Sequence, residues 1–411
     1  MTASNLLTRP LTLPNGGTLP NRLAKSALSE TLGTMDNRVT PQLVRLYERW
    51  AEGGTGLLIT GNIMVDRRYL GEPGNVVVED ERDLALLQAW AHGVSRRGAV
   101  LWAQINHPGK QSPRGLNREN ISPSAIPFKQ DMQTFFATPR EMTEAEINEV
   151  IGRFASTAGV LKKAGFGGVQ IHGAHGYLVS QFLSPRHNVR EDGWGGTSEN
   201  RRRFVLEVYA AMRAEVGPDF PIGIKLNSAD FQRGGFTEEE SLAVIQALAA
   251  AGIDLIEVSG GTYEAPAMAG VKASTREREA YFLEFAEKVR QTVSVPLMVT
   301  GGFRSQAAMQ SALASGSLDL VGLGRPLAIE PDASQRLLAG EETRYRVKPI
   351  TTGIGMVDRM ALMEVAWYTR QLHRMGRGKS PKPDESPLWS LAATVVANLR
   401  GAQKTRRLRA S

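Results

Sequence analysis

Short runs rich in aliphatic and β-branched residues recur along the chain at Leu23–Leu28, Gly56–Ile63, Val100–Ile105, Gly168–His172, Ile222–Leu226, Leu255–Val258, Pro296–Thr300 and Leu318–Leu323. Each is too short for a helix and reads as a buried strand. Helical spacing of apolar positions fills most of the intervals. Thr40-Pro41 supplies an N-cap and a first-position proline, while Thr143 with Glu146 and Thr237 with Glu240 form capping boxes ahead of Ile147–Lys163 and Leu242–Ala251. This alternation predicts parallel strands joined by helical crossovers, in a closed (β/α)8 TIM barrel or an open doubly wound sheet. The barrel is the expectation, because no second domain interrupts the alternation and no Gly-x-Gly-x-x-Gly follows the first strand. Upstream, Asn15-Gly16-Gly17 between apolar segments predicts an N-terminal β-hairpin. The Pro-rich segment Asn106–Arg140 predicts a cover over the barrel mouth. Beyond position 340 the alternation stops. Helical spacing over Met356–Arg374, a linker at Lys379–Pro387 and a short apolar helix at Leu388–Leu399 predict a C-terminal helical extension. The organisation is therefore an α/β barrel over residues 1–340 and a basic extension over 341–411.

Composition narrows the class without choosing the chemistry. With 42% apolar and 22% charged residues over 411 positions the chain can bury a substantial core. Its lack of cysteine excludes disulfides, a thiolate nucleophile and any cluster or zinc held by Cys. The formal charge of +7 invites a nucleic-acid reading until it is located: residues 1–340 hold 35 basic and 36 acidic side chains, residues 341–411 hold 14 and 6. The basic excess belongs to the extension, so no nucleic-acid partner is expected. For that extension, with Trp389 and Lys404–Arg409, three readings stand: a packing or homodimer-forming appendage, contact with a membrane surface or anionic partner, or disorder. No apolar run is long enough to cross a membrane and the start lacks a signal-peptide pattern, so a cytoplasmic protein is expected.

In a barrel the chemistry lies where strands end. After the fourth run comes Ile171-His172-Gly173-Ala174-His175-Gly176-Tyr177. The segment lacks a helical His arrangement or a third ligand nearby, so no metal is expected. Two structural histidines are one reading. The other is a pair of neutral N–H donors that hold a carbonyl oxygen beside a phenol that delivers a proton. Such groups cannot deliver hydride, so reduction requires a redox cofactor. Val299-Thr300-Gly301-Gly302 and Gly322-Leu323-Gly324-Arg325-Pro326, after the last two runs, are suited to a phosphate. Lys225 could be a Schiff-base nucleophile, an ion-pair member or a cation facing an anionic cofactor. Gln104 suits an imide-like edge or a structural hydrogen bond. His107 and His187 fall in mouth loops, within reach of a substrate, while His92 and His373 fall in helical patterns.

Taken together, these segments resemble the Old Yellow Enzyme family of flavin-dependent ene-reductases, particularly its bacterial branch, over roughly residues 5–335. The longest matching block is residues 165–204, with I-H-x-A-H-G-Y-L, F-L-S-P and G-G-x-x-E-N-R elements; Asn21-Arg22-Leu23, residues 104–110, Ile222-Gly223-Ile224-Lys225 and Gly324-Arg325-Pro326 support it. The resemblance implies FMN across the barrel mouth, with NADH or NADPH as reductant. Ala27, Ser29, Gly61 and Gln104 would contact the flavin, Lys225 would offset charge on it, and Gly302, Gly324 and Arg325 would hold its phosphate. His172 and His175 would bind the carbonyl oxygen of an activated alkene and Tyr177 would protonate it. Ser29 stands where relatives carry Thr or Cys, and Thr31 where some carry Tyr. Acceptors such as quinones or nitro compounds, or a dehydrogenase reaction, are alternatives within the family. From another class, a Schiff-base aldolase or an isomerase of a phosphorylated substrate would use Lys225 and the same anion site. Loops 106–140 and 263–275 are expected to shape the pocket.

Overall fold

The computed structural model describes residues 5–262, 264, 279–345, 347, 350–353 and 362–393. Eight strands form the barrel: β1 (Leu23–Lys25), β2 (Leu57–Met64), β3 (Val100–Asn106), β4 (Gly168–Gly173), β5 (Ile222–Asn227), β6 (Leu255–Ser259), β7 (Leu297–Thr300) and β8 (Leu320–Leu323). All pair in parallel with their neighbours, and β1 pairs with both β8 and β2, so the ring closes as a (β/α)8 barrel. Around it run α1 (Pro41–Glu52), α2 (Leu84–Ser95), α3 (Glu144–Lys163), the short α4 (Leu178–Leu183), α5 (Ser198–Val216), α6 (Glu238–Ala250), α7 (Leu283–Arg290), α8 (Gln306–Ala314), α9 (Arg325–Ile329) and α10 (Ala333–Leu338). The capping signals act as read from sequence. Thr143 and Thr237 each accept from the backbone N–H three residues on, while Glu146 and Glu240 reach back to the cap.

Side chains on a strand alternate between the barrel interior and its outer wall. The lower interior is apolar, built from Ala24, Leu57, Ile59, Trp102, Leu255, Met298 and Leu320. The hairpin formed by Leu11–Thr12 and Thr18–Leu19 closes this end, adding Leu11, Leu13 and Leu19 to the same cluster. Two residues further along four of the strands the wall becomes polar: Ser26, Gln104, Glu257 and Thr300 follow Ala24, Trp102, Leu255 and Met298. On β1, β3, β6 and β7 the transition from apolar floor to polar mouth thus follows the period-two alternation.

Strand β2 departs from that regularity. Its pairing with β3 shifts register between Ile59 and Asn62. At this bulge the Gly61 N–H donates to Glu30 Oε1 (2.7 Å) and reaches the Tyr47 hydroxyl (3.2 Å). Lys25, fully buried, donates to Tyr47 (2.8 Å) and to the Ile59 carbonyl (2.7 Å), and lies 3.9 Å from Glu30. Burial lowers the Lys25 ammonium to about pH 8 in its titration, against the opposing pull of Glu30. The first strand ends at Lys25, short of the expected Leu28, because residues after it turn away to line the mouth.

The segment 106–140, expected to cover the mouth, has structure of its own, since Ile121–Ser122 pairs with Arg140–Glu141. In the extension, α11 (Leu362–Gly376) packs on α1 and α9. Its His373 Nε2 donates to the Glu30 carbonyl (2.8 Å), which ties the extension to the loop after β1. Trp367 donates to the Glu385 carbonyl (2.9 Å), holding the linker against α11. Residues 387–393 are helical and Trp389 is exposed, whereas Lys404–Arg409 lie outside the described residues. No described helix is long and apolar enough to cross a membrane.

Replacing Glu30 by Ala leaves Lys25 buried without its carboxylate, and loss of one partner of a buried pair costs about 3–5 kcal/mol. Denaturant unfolding of Glu30→Ala is expected to show a loss of that size; a loss near the surface-pair range of about 0–1 kcal/mol would contradict the reading.

Candidate active site

A cavity of about 420 Å³ opens at the C-terminal ends of the strands, a size suited to a cofactor or substrate. Around it stand Ala27, Ser29, Gly61, Gln104, His172, His175, Tyr177, Lys225, Gly302, Gly324 and Arg325, so the structure brings together the residues read from sequence as flavin-contacting, phosphate-binding and carbonyl-binding. They come from seven of the eight strands and the loops that follow them.

One wall is set by a buried chain of hydrogen bonds. Gln104 donates to Gln170 (2.8 Å), Gln170 donates to Glu257 Oε2 (2.8 Å), and Thr300 donates to Glu257 Oε1 (2.7 Å). Lys225 Nζ lies 3.0 Å from the same carboxylate. Lys225 is therefore an ion-pair member, and the partner demanded by its burial is Glu257, itself 0% exposed. Gln104 and Lys225 both line the cavity from this wall.

A second wall carries the imidazoles. His172 Nδ1 lies 3.0 Å from Asn62 Oδ1, His172 Nε2 lies 3.2 Å from His175 Nδ1, and His175 Nε2 lies 2.8 Å from Ser259 Oγ. The Tyr177 ring leans over His172 with centroids 4.6 Å apart, and Asn62 Nδ2 reaches the Tyr177 hydroxyl at 3.4 Å. His175 holds a positive φ of 61°, between Ala174 and Gly176, which turns the chain so that both rings meet. Burial, reinforced by the positive charge of Lys225, pushes His175 down to about 3 and drives His172 well below the ordinary histidine range. Both rings are neutral at physiological pH.

The far end is built for an anion. Gly301 and Gly302 hold φ of 116° and 97°, and a Cβ on Gly302 would come within 2.7 Å of the Ala280 nitrogen, so only glycine lets the backbone line the cavity there. Arg304 and Arg325 flank this turn, and Arg325 Nη1 lies 3.2 Å from Glu364 of α11. Glycine backbone beside two guanidinium groups fits a phosphate, and the apolar Ala27, Leu28, Phe282 and Phe303 fit a flat ring system.

Sequence reasoning missed Asn62, Glu257, Ser259, Arg304 and Glu364. Glu257 carried a signal, being a lone charge inside an apolar strand run. Arg304 and Glu364 carried none. Conversely, His107 and His187 do not reach the cavity. His107 is buried against Tyr69 and His187 Nδ1 lies 3.0 Å from Lys110 Nζ, so both serve the packing of segment 106–140. Loop 263–275 lies outside the described residues except for Glu264.

The chain matches the NADH:flavin oxidoreductase / NADH oxidase family over residues 6–344 and belongs to it; this is the Old Yellow Enzyme group of FMN-dependent barrels. It is 39% identical over 409 residues to the NADH-dependent flavin oxidoreductase iccE of Talaromyces variabilis, covering 90% of this chain and 98% of that one. An NADH oxidase of Thermoanaerobacter brockii is 33% identical over 344 residues, spanning 82% of this chain and 51% of that protein. Among solved structures, a 2-naphthoyl-CoA reductase complex superposes with a TM-score of 0.76 at 26% identity, over 82% of this chain and 52% of that one. Morphinone reductase in complex with tetrahydroNAD gives 0.68 at 24% identity, over 84% and 92%, which shows the shared fold. The protein is thus a flavin oxidoreductase with FMN as cofactor and NAD(P)H as reductant. That assignment replaces the aldolase and isomerase alternatives.

Neutral buried histidines couple stability to pH. A histidine titrating near 3 when folded and near 6.5 when unfolded binds fewer protons in the native state between those values. Its contribution is complete above about pH 6.5 and is lost as pH falls towards 3, at about 1.4 kcal/mol per pH unit. His175→Asn, compared with the parent chain at saturating FMN, is expected to flatten the decline in unfolding free energy between pH 6 and pH 4 by about that slope. Parallel declines would contradict the neutral assignment.

Proposed function

We propose that the protein is an ene-reductase, transferring hydride from NAD(P)H to the Cβ of an α,β-unsaturated carbonyl compound with Tyr177 as proton donor. The observation that carries this reading is the meeting of His172, His175 and Tyr177 on one wall of the cavity that also holds Gln104, Lys225 and the anion site. FMN, once bound, supplies the hydride carrier between the reductant and the acceptor. NADH rather than NADPH is favoured, because two similar fungal proteins, 39% and 36% identical, are named NADH-dependent flavin oxidoreductases.

In this reading Gly302, Gly324, Arg325 and Arg304 hold the phosphate, and Ala27, Ser29 and Gly61 pack against the ring. Gln104 offers donor and acceptor to an imide edge. Lys225, steadied by Glu257, offsets negative charge on the ring. The acceptor's carbonyl oxygen meets the His172/His175 pair. Because the imidazoles are neutral, they contribute an N–H dipole rather than a full charge, and the oxygen that gains negative charge during reaction is stabilised in a dry site. The Tyr177 hydroxyl then gives its proton to Cα, completing addition of H⁻ and H⁺ across the double bond.

Removing a general acid typically costs about 10²–10⁴ in rate. In anaerobic stopped-flow experiments Tyr177→Phe is expected to slow reoxidation of the reduced protein by cyclohexenone by that factor, while reduction by NADH changes less than about threefold. Equal slowing of both half-reactions would contradict the assignment. Fast reoxidation by quinones or nitro compounds, with none by the enone, would move the substrate to those classes.

A further inference from the structure

Glu364 and Val365 line the cavity together with the strand-end residues, although they belong to the C-terminal extension and not to the barrel. Helix α11 is fixed in that place. Met363, Trp367 and Tyr368 bury one face of it. Thr369 Oγ1 donates to the Ser29 carbonyl (3.4 Å) and His373 Nε2 to the Glu30 carbonyl (2.8 Å), so two positions one helical turn apart grip the loop after β1. Position 364 is thereby set against Arg325, the first residue of α9, on which α11 packs.

Both Glu364 oxygens approach the same nitrogen of Arg325, Nη1, at 3.2 and 3.4 Å. Nε and Nη2 take no part in that contact, and together they form the side-on edge of the guanidinium fork that suits a phosphate. The two side chains are 22% and 39% exposed, and an ion pair so placed adds little to stability. Its consequence is where it puts the guanidinium. An arginine with no partner explores many rotamers, and ordering it opposes anion binding; a partner that orders it beforehand removes part of that opposition. The end of the cavity stays net positive all the same. Arg304, in the turn after β7, donates to the Tyr281 hydroxyl (3.3 Å), so two guanidinium groups stand there against one lining carboxylate.

We propose that Glu364 is a positioning residue for the cofactor's phosphate: from the extension it holds Arg325 by Nη1 and leaves the Nε–Nη2 edge for the anion. The inference rests on the assignment of the glycine turn and its arginines to the phosphate of FMN. It gives the extension a place in the flavin site.

Riboflavin carries the same ring as FMN without the phosphate, so the preference between the two isolates the anion end. Full-length FMN-loaded protein is equilibrated with mixtures of FMN and riboflavin, and the ratio of bound flavins gives the ratio of their affinities. Damage at the ring end affects both flavins alike and leaves that ratio unmoved. Glu364→Ala is expected to lower the preference for FMN by about three- to tenfold, the size expected for one long side chain that must be ordered on binding. Glu364→Gln, which keeps an oxygen for Nη1, is expected to recover part of the loss. Arg325→Ala is expected to lower the preference at least as far, and adding Glu364→Ala to it to change the ratio by less than about twofold. If Arg325→Ala lowers the preference but Glu364→Ala leaves it unchanged, the proposal is overturned and the phosphate assignment stands. A preference raised by Glu364→Ala overturns it too, since Glu364 would then compete with the anion. If Arg325→Ala leaves the preference unchanged, the phosphate assignment itself fails and the proposal with it. Should Glu364→Ala not fold, Glu364→Gln decides: a smaller loss in the same direction supports the proposal and an undiminished preference overturns it.

Discussion

The Glu257 carboxylate is the group on which the mouth of this barrel depends. It accepts from Gln170 on β4 and Thr300 on β7 and pairs with Lys225 on β5, so a single buried side chain on β6 links four consecutive strands. A buried charge is tolerated only when its partners are in place and its lone pairs are satisfied. The apolar floor of Trp102, Leu255 and Met298 would form from these residue types in many registers. The polar layer above it tolerates one, since a slip of one residue would send Glu257 to the outer wall and leave Lys225 unpaired. The requirement that fixes strand register thus also delivers Gln104 and Lys225 to the cavity.

A similar economy governs the other wall. The Lys25, Tyr47 and Glu30 cluster holds the β2 bulge, the bulge aims Asn62, and Asn62 contacts His172 and Tyr177. From the outside, His373 of α11 holds the Glu30 carbonyl, and Glu364 of the same helix pairs with Arg325 at the anion end. The extension is therefore in contact with both ends of the site. The imidazoles lie among these buried groups, and their neutrality follows from desolvation beside Lys225. Electrostatics and packing here act on the same few side chains.

Much of this was legible in the sequence because it is local. Strand runs, capping boxes and the hairpin turn are written in short windows, and the site residues announce themselves by lying just after strand runs, where a barrel places its chemistry. The Lys225 partner was implied by its apolar flanks, though its identity was not. What escaped depends on distance. The bulge that aims Asn62 arises from Glu30 and Tyr47, which lie far from it in the chain, and no periodicity marks it. The pairing of Glu364 with Arg325 joins an extension to a barrel loop. The histidines His107 and His187 misled for the converse reason: a loop position at the mouth suggests reach, but their side chains are buried against segment 106–140 and its neighbours.

The central claim is that this imidazole and phenol wall serves reduction of a conjugated carbonyl compound. Its most direct test is spectroscopic: the FMN-loaded protein is bleached anaerobically with NADH, cyclohexenone is added, and the flavin absorption is followed alongside the product. The account predicts that the yellow colour returns in step with formation of cyclohexanone. A bleached protein that oxygen restores but the enone does not would contradict it, and would leave a flavin oxidoreductase whose site serves another acceptor.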